Sequence, residues 1–125
     1  YWQSGLGTHT IPNRTDALEI VEVKTDLDQV IEKIRSTHQV DPLVVATSAR
    51  ERARRFNYAE LADWIRSDKA PLLLLFGTAY GLCESVFERC DGVLPPIRSG
   101  AWNHLSVRSA VAITLERLAG EDFGR

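Results

Sequence analysis

Leu72-Leu73-Leu74-Leu75-Phe76-Gly77-Thr78-Ala79-Tyr80-Gly81-Leu82 decides how this chain folds. An unbroken apolar run of strand length suits a parallel sheet covered on both faces, and this one stops on a glycine turn. A buried strand ending in that way leaves backbone N–H and C=O groups exposed at its C-terminal end, where α/β proteins bind ligands. Further along stands Leu94-Pro95-Pro96-Ile97. Two prolines cannot continue a sheet ladder, so the chain leaves the sheet at a fixed angle with free carbonyls. A bend of that kind, facing the glycine turn from the neighbouring strand, would hold a flat adenine by backbone bonds between apolar walls. A Cβ at Gly77 would then enter the ligand's space.

Reading outward, strands and helices alternate. Residues 1–16 read as loop, and residues 18–24, rich in β-branched side chains, as a strand. Thr25 is placed to cap the next helix, with Asp26 and Asp28 in its first turn. Leu27, Val30, Ile31 and Ile34 recur at helical spacing. Asp41-Pro42 breaks that helix, and residues 43–47 form a short, almost wholly apolar strand. Asn57 with Glu60 resembles a capping box, and Tyr58, Leu61, Ala62 and Ile65 give the following helix its buried stripe. Residues 72–76 are the third strand, 82–90 a short helix, 92–94 a fourth strand, and 105–118 a closing helix stopped near Gly120. The pattern predicts one α/β domain over residues 1–125, a mostly parallel sheet with helices on both faces.

The 125 residues, 44% of them apolar, suffice for one core and leave little for a second. With a net charge of −2, attraction to nucleic acid must come from a local patch. No run approaches the roughly 18 apolar residues that cross a bilayer, and nothing in these residues resembles a signal peptide, so the expected address is the cytoplasm. Cys83 and Cys90, seven apart on the predicted helix, are too distant for a disulfide and too few for structural zinc. They read as buried core thiols. The opening Tyr1-Trp2-Gln3-Ser4-Gly5-Leu6-Gly7 looks like the middle of a protein, and the domain is expected to lack an N-terminal strand and helix.

Among the motifs, 77–81 is not G-x-G-x-x-G and lacks the Lys-Ser/Thr of a phosphate loop, so a nucleotide phosphate site is not expected. Asn103-His104-Leu105-Ser106 reads as the polar start of the last helix, with Asn103 as its cap and Ser106 at the third position. That helix is apolar on most sides, which predicts burial or packing against a second subunit. His104 lacks ligand partners, so no metal is expected. Arg14 follows the Gly5-x-Gly7 loop and suits a phosphate or a hydroxyl to be activated. Arg50, Arg52, Arg54 and Arg55 follow the second strand, either as a solvated face or as an RNA contact.

The order Leu-Phe-Gly-Thr-x-x-Gly-Leu, then Pro-Ile, then Asn-His-Leu-Ser-Val-Arg-x-Ala-Val-Ala-Ile resembles the SPOUT superfamily of RNA methyltransferases. It is most similar to a bacterial group of S-adenosylmethionine-dependent enzymes sometimes fused to a tRNA guanine-N1 methyltransferase. The resemblance implies a C-terminal deep trefoil knot, an exception to the rule against knots, with S-adenosylmethionine held by three loops. Carried over by position, these are Leu75, Phe76, Gly77, Thr78 and Gly81; Leu94, Pro95 and Ile97; and Asn103, Leu105 and Ser106. It implies a homodimer packed through the knot and final helix. Transfer from a sulfonium needs alignment and the removal of a proton, for which Arg14, Asn103 and Ser106 are the catalytic candidates. Arg14, Arg50, Arg52, Arg54 and Arg55 are those for RNA. The family's usual early arginine would precede this segment. Ribose 2′-O and guanine-N1 transfer both stay open, beside a non-catalytic domain that binds the cofactor or RNA, and a flavodoxin-like nucleotide domain.

Overall fold

A computed structural model describes residues 19–48, 54–77, 81–98 and 105–123. The chain divides into two compact units, Tyr1–Glu32 and Lys33–Arg125, with the boundary inside helix α1 (Leu27–His38).

In the first unit the expected strand over 18–24 is absent from the described residues. Residues 21–24 have no regular structure, and Ile20, Val21 and Val23 are 83%, 61% and 94% exposed. β-Branched residues favour a pleated surface only where a neighbour strand and burial stabilise it. No described strand pairs with this segment. The cap of α1 also moves by one residue. Asp26, not Thr25, accepts from the Gln29 N–H at 2.9 Å, while the Gln29 side chain accepts from the Thr25 N–H at 3.0 Å. A carboxylate there also favours the helix dipole.

The second unit is built on β1 (Leu43–Thr47), α2 (Tyr58–Ser67), β2 (Leu72–Leu75), α3 (Glu84–Glu88), β3 (Gly92–Leu94) and α4 (Val107–Phe123). The three strands are parallel in the order β2-β1-β3. Central β1 is apolar on both faces, as its sequence predicts: Val44, Val45 and Ala46 are at most 5% exposed. On one face Val45 and Leu94 pack with Leu61 of α2 and Leu118 of α4, and Leu43, Leu72 and Leu74 extend this core. Asn57 and Glu60 close the predicted capping box, which starts α2 at the right residue to bury Leu61.

Three expectations are corrected here. Helix α3 spans five residues rather than 82–90. Cys83 is therefore its exposed cap position and not a buried core thiol, while Cys90 is buried as expected. Helix α4 does not stop near Gly120 but runs through it. One glycine costs a helix about 1 kcal/mol relative to alanine, too little to end a packed one. The space of the missing Cβ is taken by the Glu116 carboxylate.

The chain also reaches the outer edge of β3 before α2 begins. Val93 donates to the Arg54 carbonyl and Phe56 donates to the Val93 carbonyl, both at 2.8 Å. Strand β3 therefore lies between β1 and the short segment Arg54 to Phe56, with Arg55 opposite Val93 in parallel. Gly92 makes this approach possible, because a Cβ there would lie 2.5 Å from the Phe56 ring.

Candidate functional site

Register places the two ligand-loop candidates at one edge of the sheet. Leu75 pairs with Ala46, and Leu94 pairs with Thr47, so β2 and β3 end within one residue of each other along β1. They are not neighbouring strands, contrary to the expectation from sequence: β1 lies between them. At about 4.8 Å per strand step the two exits stand roughly 10 Å apart. A ligand bridging them must lie across the end of β1.

Each exit is shaped by its residues. After β2, Phe76 and Gly77 are half-buried. A Cβ on Gly77 would sit 2.6 Å from the Gly81 carbonyl carbon and 2.8 Å from the Leu82 nitrogen. Gly77 is thus required first for the loop to close on itself, and not, as expected, only to spare a ligand's space. Gly81 holds φ +79°, a left-handed conformation that favours glycine. After β3, Pro95, Pro96 and Ile97 are half-buried and carry the chain off the ladder. The Leu94 side chain, 1% exposed, belongs to the core, so this residue meets a ligand only through its backbone.

Leu105 is half-buried just before α4. Ser106 is itself the cap of α4 and not its third residue: its hydroxyl oxygen accepts from the Ser109 N–H at 3.2 Å, and its carbonyl accepts from the Ala110 N–H at 2.9 Å. The hydroxyl donates to the Ser109 hydroxyl at 3.0 Å. Thr78, Asn103, Arg14, Arg50 and Arg52 lie outside the described residues. Arg54 and Arg55 are exposed, beside β3.

Two features of this edge were missed in the sequence. Thr47 hydrogen-bonds through its hydroxyl to the Leu75 carbonyl at 2.9 Å, tying the end of β2 to β1. Its signal was a polar residue closing an apolar strand. Cys83, just past the glycine turn, has its thiol 3.1 Å from the Ser85 hydroxyl. That bond, followed by one from the Val86 backbone, holds the thiol below its ordinary pKa. Burial, reinforced by the Asp91 charge, raises that of Cys90.

Among the described residues no group of three or more His, Cys, Asp or Glu side chains stands together to hold a metal. No helix there is long and apolar enough to cross a membrane.

Parallel strands ending together in a glycine turn and a proline bend define an α/β domain with a small parallel sheet. The chain belongs to the SAM-dependent RNA methyltransferase family, which it matches over residues 1–120. It is 42% identical over 122 residues to a tRNA (guanine-N(1)-)-methyltransferase of Oleidesulfovibrio alaskensis, covering 97% of this chain and 28% of that protein. It is 40% identical over 125 residues to the protein of the same name in Nitratidesulfovibrio vulgaris, covering 98% of this chain and 28% of that one. An Aquifex aeolicus protein, named only as uncharacterized, is 39% identical over 119 residues, covering 94% of this chain and 58% of its own length. The chain thus spans little more than a quarter of the two named methyltransferases and 58% of the Aquifex protein. Among solved structures, a probable methylase family protein from Haemophilus influenzae Rd KW20 superposes with a TM-score of 0.69 at 19% identity. That match covers 92% of this chain and 48% of the other, and it bears on the fold alone.

The residues at the edge fit the family's methyl donor. Proline carbonyls can accept from an adenine amino group, and half-buried Phe76, Leu82 and Ile97 beside the two strand exits are apolar enough to flank its ring.

Proposed function

We propose that this chain binds S-adenosylmethionine across the C-terminal end of β1 and transfers its methyl group to RNA, with tRNA the favoured class. The observation that carries this is the register. Leu75 and Leu94 end their strands one residue apart against Ala46 and Thr47, so the loops matched to the family pattern leave from one edge. Backbone groups of Phe76, Gly77, Pro95 and Ile97 hold the adenosine, and Leu105 with the Ser106 cap closes the third side. The bound donor supplies an activated methyl group. The protein then has to align the acceptor and remove one proton. Arg14 is assigned to the acceptor or its phosphate, and Asn103 to its orientation. Because the Ser106 hydroxyl serves the helix cap, its part is to place the loop. The names of the two Desulfovibrio-type relatives favour guanine-N1 over ribose 2′-O as the acceptor.

The trefoil knot belongs to the same proposal. Segment 54–56 on the outer edge of β3 supports it, since β3, later in the chain, lies between β1 and that earlier segment. The homodimer is supported by apolar surface on α4, where Val107 and Leu115 are each 41% exposed. Arg54 and Arg55, with Arg50 and Arg52, are assigned to the RNA backbone, and the cytoplasm is the compartment where that substrate is met.

Labelled S-adenosylmethionine incubated with the full-length protein and bulk tRNA should give labelled RNA, and nucleoside mass mapping should find 1-methylguanosine. Donor binding with no transfer to any RNA would favour the second reading, a non-catalytic cofactor-binding module. One observation speaks for that module: the region is 28% of the relatives named as methyltransferases. No donor binding at all would overturn both.

A further inference from the structure

Arg98 follows the half-buried Pro95, Pro96 and Ile97 on the exit from β3 and is itself exposed. The two prolines fix φ and the three residues are partly packed, so the backbone leading to Arg98 is held while its side chain is open to solvent. Three other arginines of the second unit are occupied: Arg35 pairs with Asp41, Arg66 pairs with Asp63 at 3.5 Å, and Arg117 lies over the Tyr58 ring. Arg98 makes no ion pair with a described residue.

Its place separates it from the rest of the basic surface. Within the four residues after the strand ends Thr47, Leu75 and Leu94, Arg98 is the charged side chain among the described residues. Arg54 and Arg55 lie alongside β3 rather than beyond its end. Arg66 is in the last turn of α2, which leads to the start of β2, at the opposite end of the sheet. The chain carries a net charge of −2, so a polyanion is drawn to the strand ends only by local charge. A methyl group passes only to an acceptor held against its donor, so the RNA backbone has to approach that end. An arginine, always charged and planar, suits phosphate there by paired N–H bonds.

We infer that Arg98 binds a phosphate of the acceptor RNA beside the exit from β3 and thereby positions the acceptor for transfer. This rests on the methyl-transfer reading proposed above and names a residue that would hold its substrate.

The test measures binding of end-labelled bulk tRNA by the full-length protein across a series of salt concentrations, and binding of S-adenosylhomocysteine by calorimetry. Wild type, Arg98→Ala, Arg98→Lys and Arg66→Ala are compared. Arg98→Ala should weaken tRNA binding about five- to tenfold at about 0.1 M salt and lower the slope of log affinity against log salt by about 0.7 to 0.9, as for one lost phosphate contact. Its affinity for S-adenosylhomocysteine should stay that of wild type. Arg98→Lys should keep the salt slope, since the charge remains. Arg66→Ala, which removes the same charge at the other end of the sheet, should match wild type. An unchanged slope in Arg98→Ala would overturn the assignment, as would an equal loss in Arg66→Ala, because net charge alone would then explain both. Loss of S-adenosylhomocysteine affinity in Arg98→Ala would move the residue to the donor pocket and overturn it too. Wild type that binds S-adenosylhomocysteine but no tRNA would instead remove the proposed substrate class, and this contact with it.

Discussion

The Thr47 hydroxyl at the end of β1 donates to the Leu75 carbonyl at the end of β2, over 2.9 Å. One side chain thereby fixes where the glycine turn departs relative to the central strand. The bond is part-buried, and Val44, Val45 and Ala46 before it are buried, so the hydroxyl has little water to turn to. Thr47→Val keeps the shape and strands the carbonyl. We predict a loss of about 1 kcal/mol in urea unfolding and weaker binding of S-adenosylhomocysteine. Unchanged affinity with lowered stability would limit Thr47 to a structural part.

The two glycines of the turn should respond differently. Alanine at Gly77 would meet the Gly81 and Leu82 backbone at under 3 Å, whereas at Gly81 no atom of the described residues lies within 4 Å. Only the positive φ opposes a side chain at Gly81, which costs roughly 1–2 kcal/mol. Gly77→Ala should therefore lower the urea midpoint and abolish cofactor binding together. Gly81→Ala should lose stability by about 1 kcal/mol and retain measurable binding. The reverse order would mean that the turn closes by another route.

Gly92 makes room for Phe56, whose ring would be 2.5 Å from an added Cβ. Overpacking of this kind costs about 1–3 kcal/mol. Gly92→Ala should show that loss in denaturant titration, and Gly92→Ala combined with Phe56→Leu should recover part of it. Additive losses in the double variant would place the conflict elsewhere.

The two thiols should separate by pH and by access. Exposed Cys83, with its pKa lowered by the Ser85 bond, should react with iodoacetamide first and at a pH below that of an ordinary thiol. Ser85→Ala should shift that midpoint upward. Cys90 has a raised pKa in the fold, so the folded protein holds its proton longer than the unfolded chain does. Its contribution is fully present below the ordinary thiol range and is lost as pH rises through the folded value. Thermal midpoints should fall on the alkaline side, less steeply in Cys90→Ala. Peptide mass mapping that finds Cys90 alkylated before Cys83 would contradict this assignment.

Much of the fold was legible locally. The apolar run at 43–47, the leucines at 72–75 and the Asn57–Glu60 box each carry their structure in residue type and spacing, because a central parallel strand and a capped helix are set by short-range rules. The glycine turn and the proline bend were legible as strand exits for the same reason. The segment at 18–24 misled because a strand is a pairing between chains, and no composition supplies the neighbour. Cys83 looked buried and Ser106 looked internal because helix ends move by a few residues while periodicity does not.

Composition and spacing thus determined which segments are strands and helices, and where the apolar strands would end. Tertiary structure alone decided that β1 stands between the glycine turn and the proline bend, that Gly77 is needed for the turn to close, and that Thr114 is buried in α4. These depend on which distant residues meet, and short-range rules carry no term for such meetings.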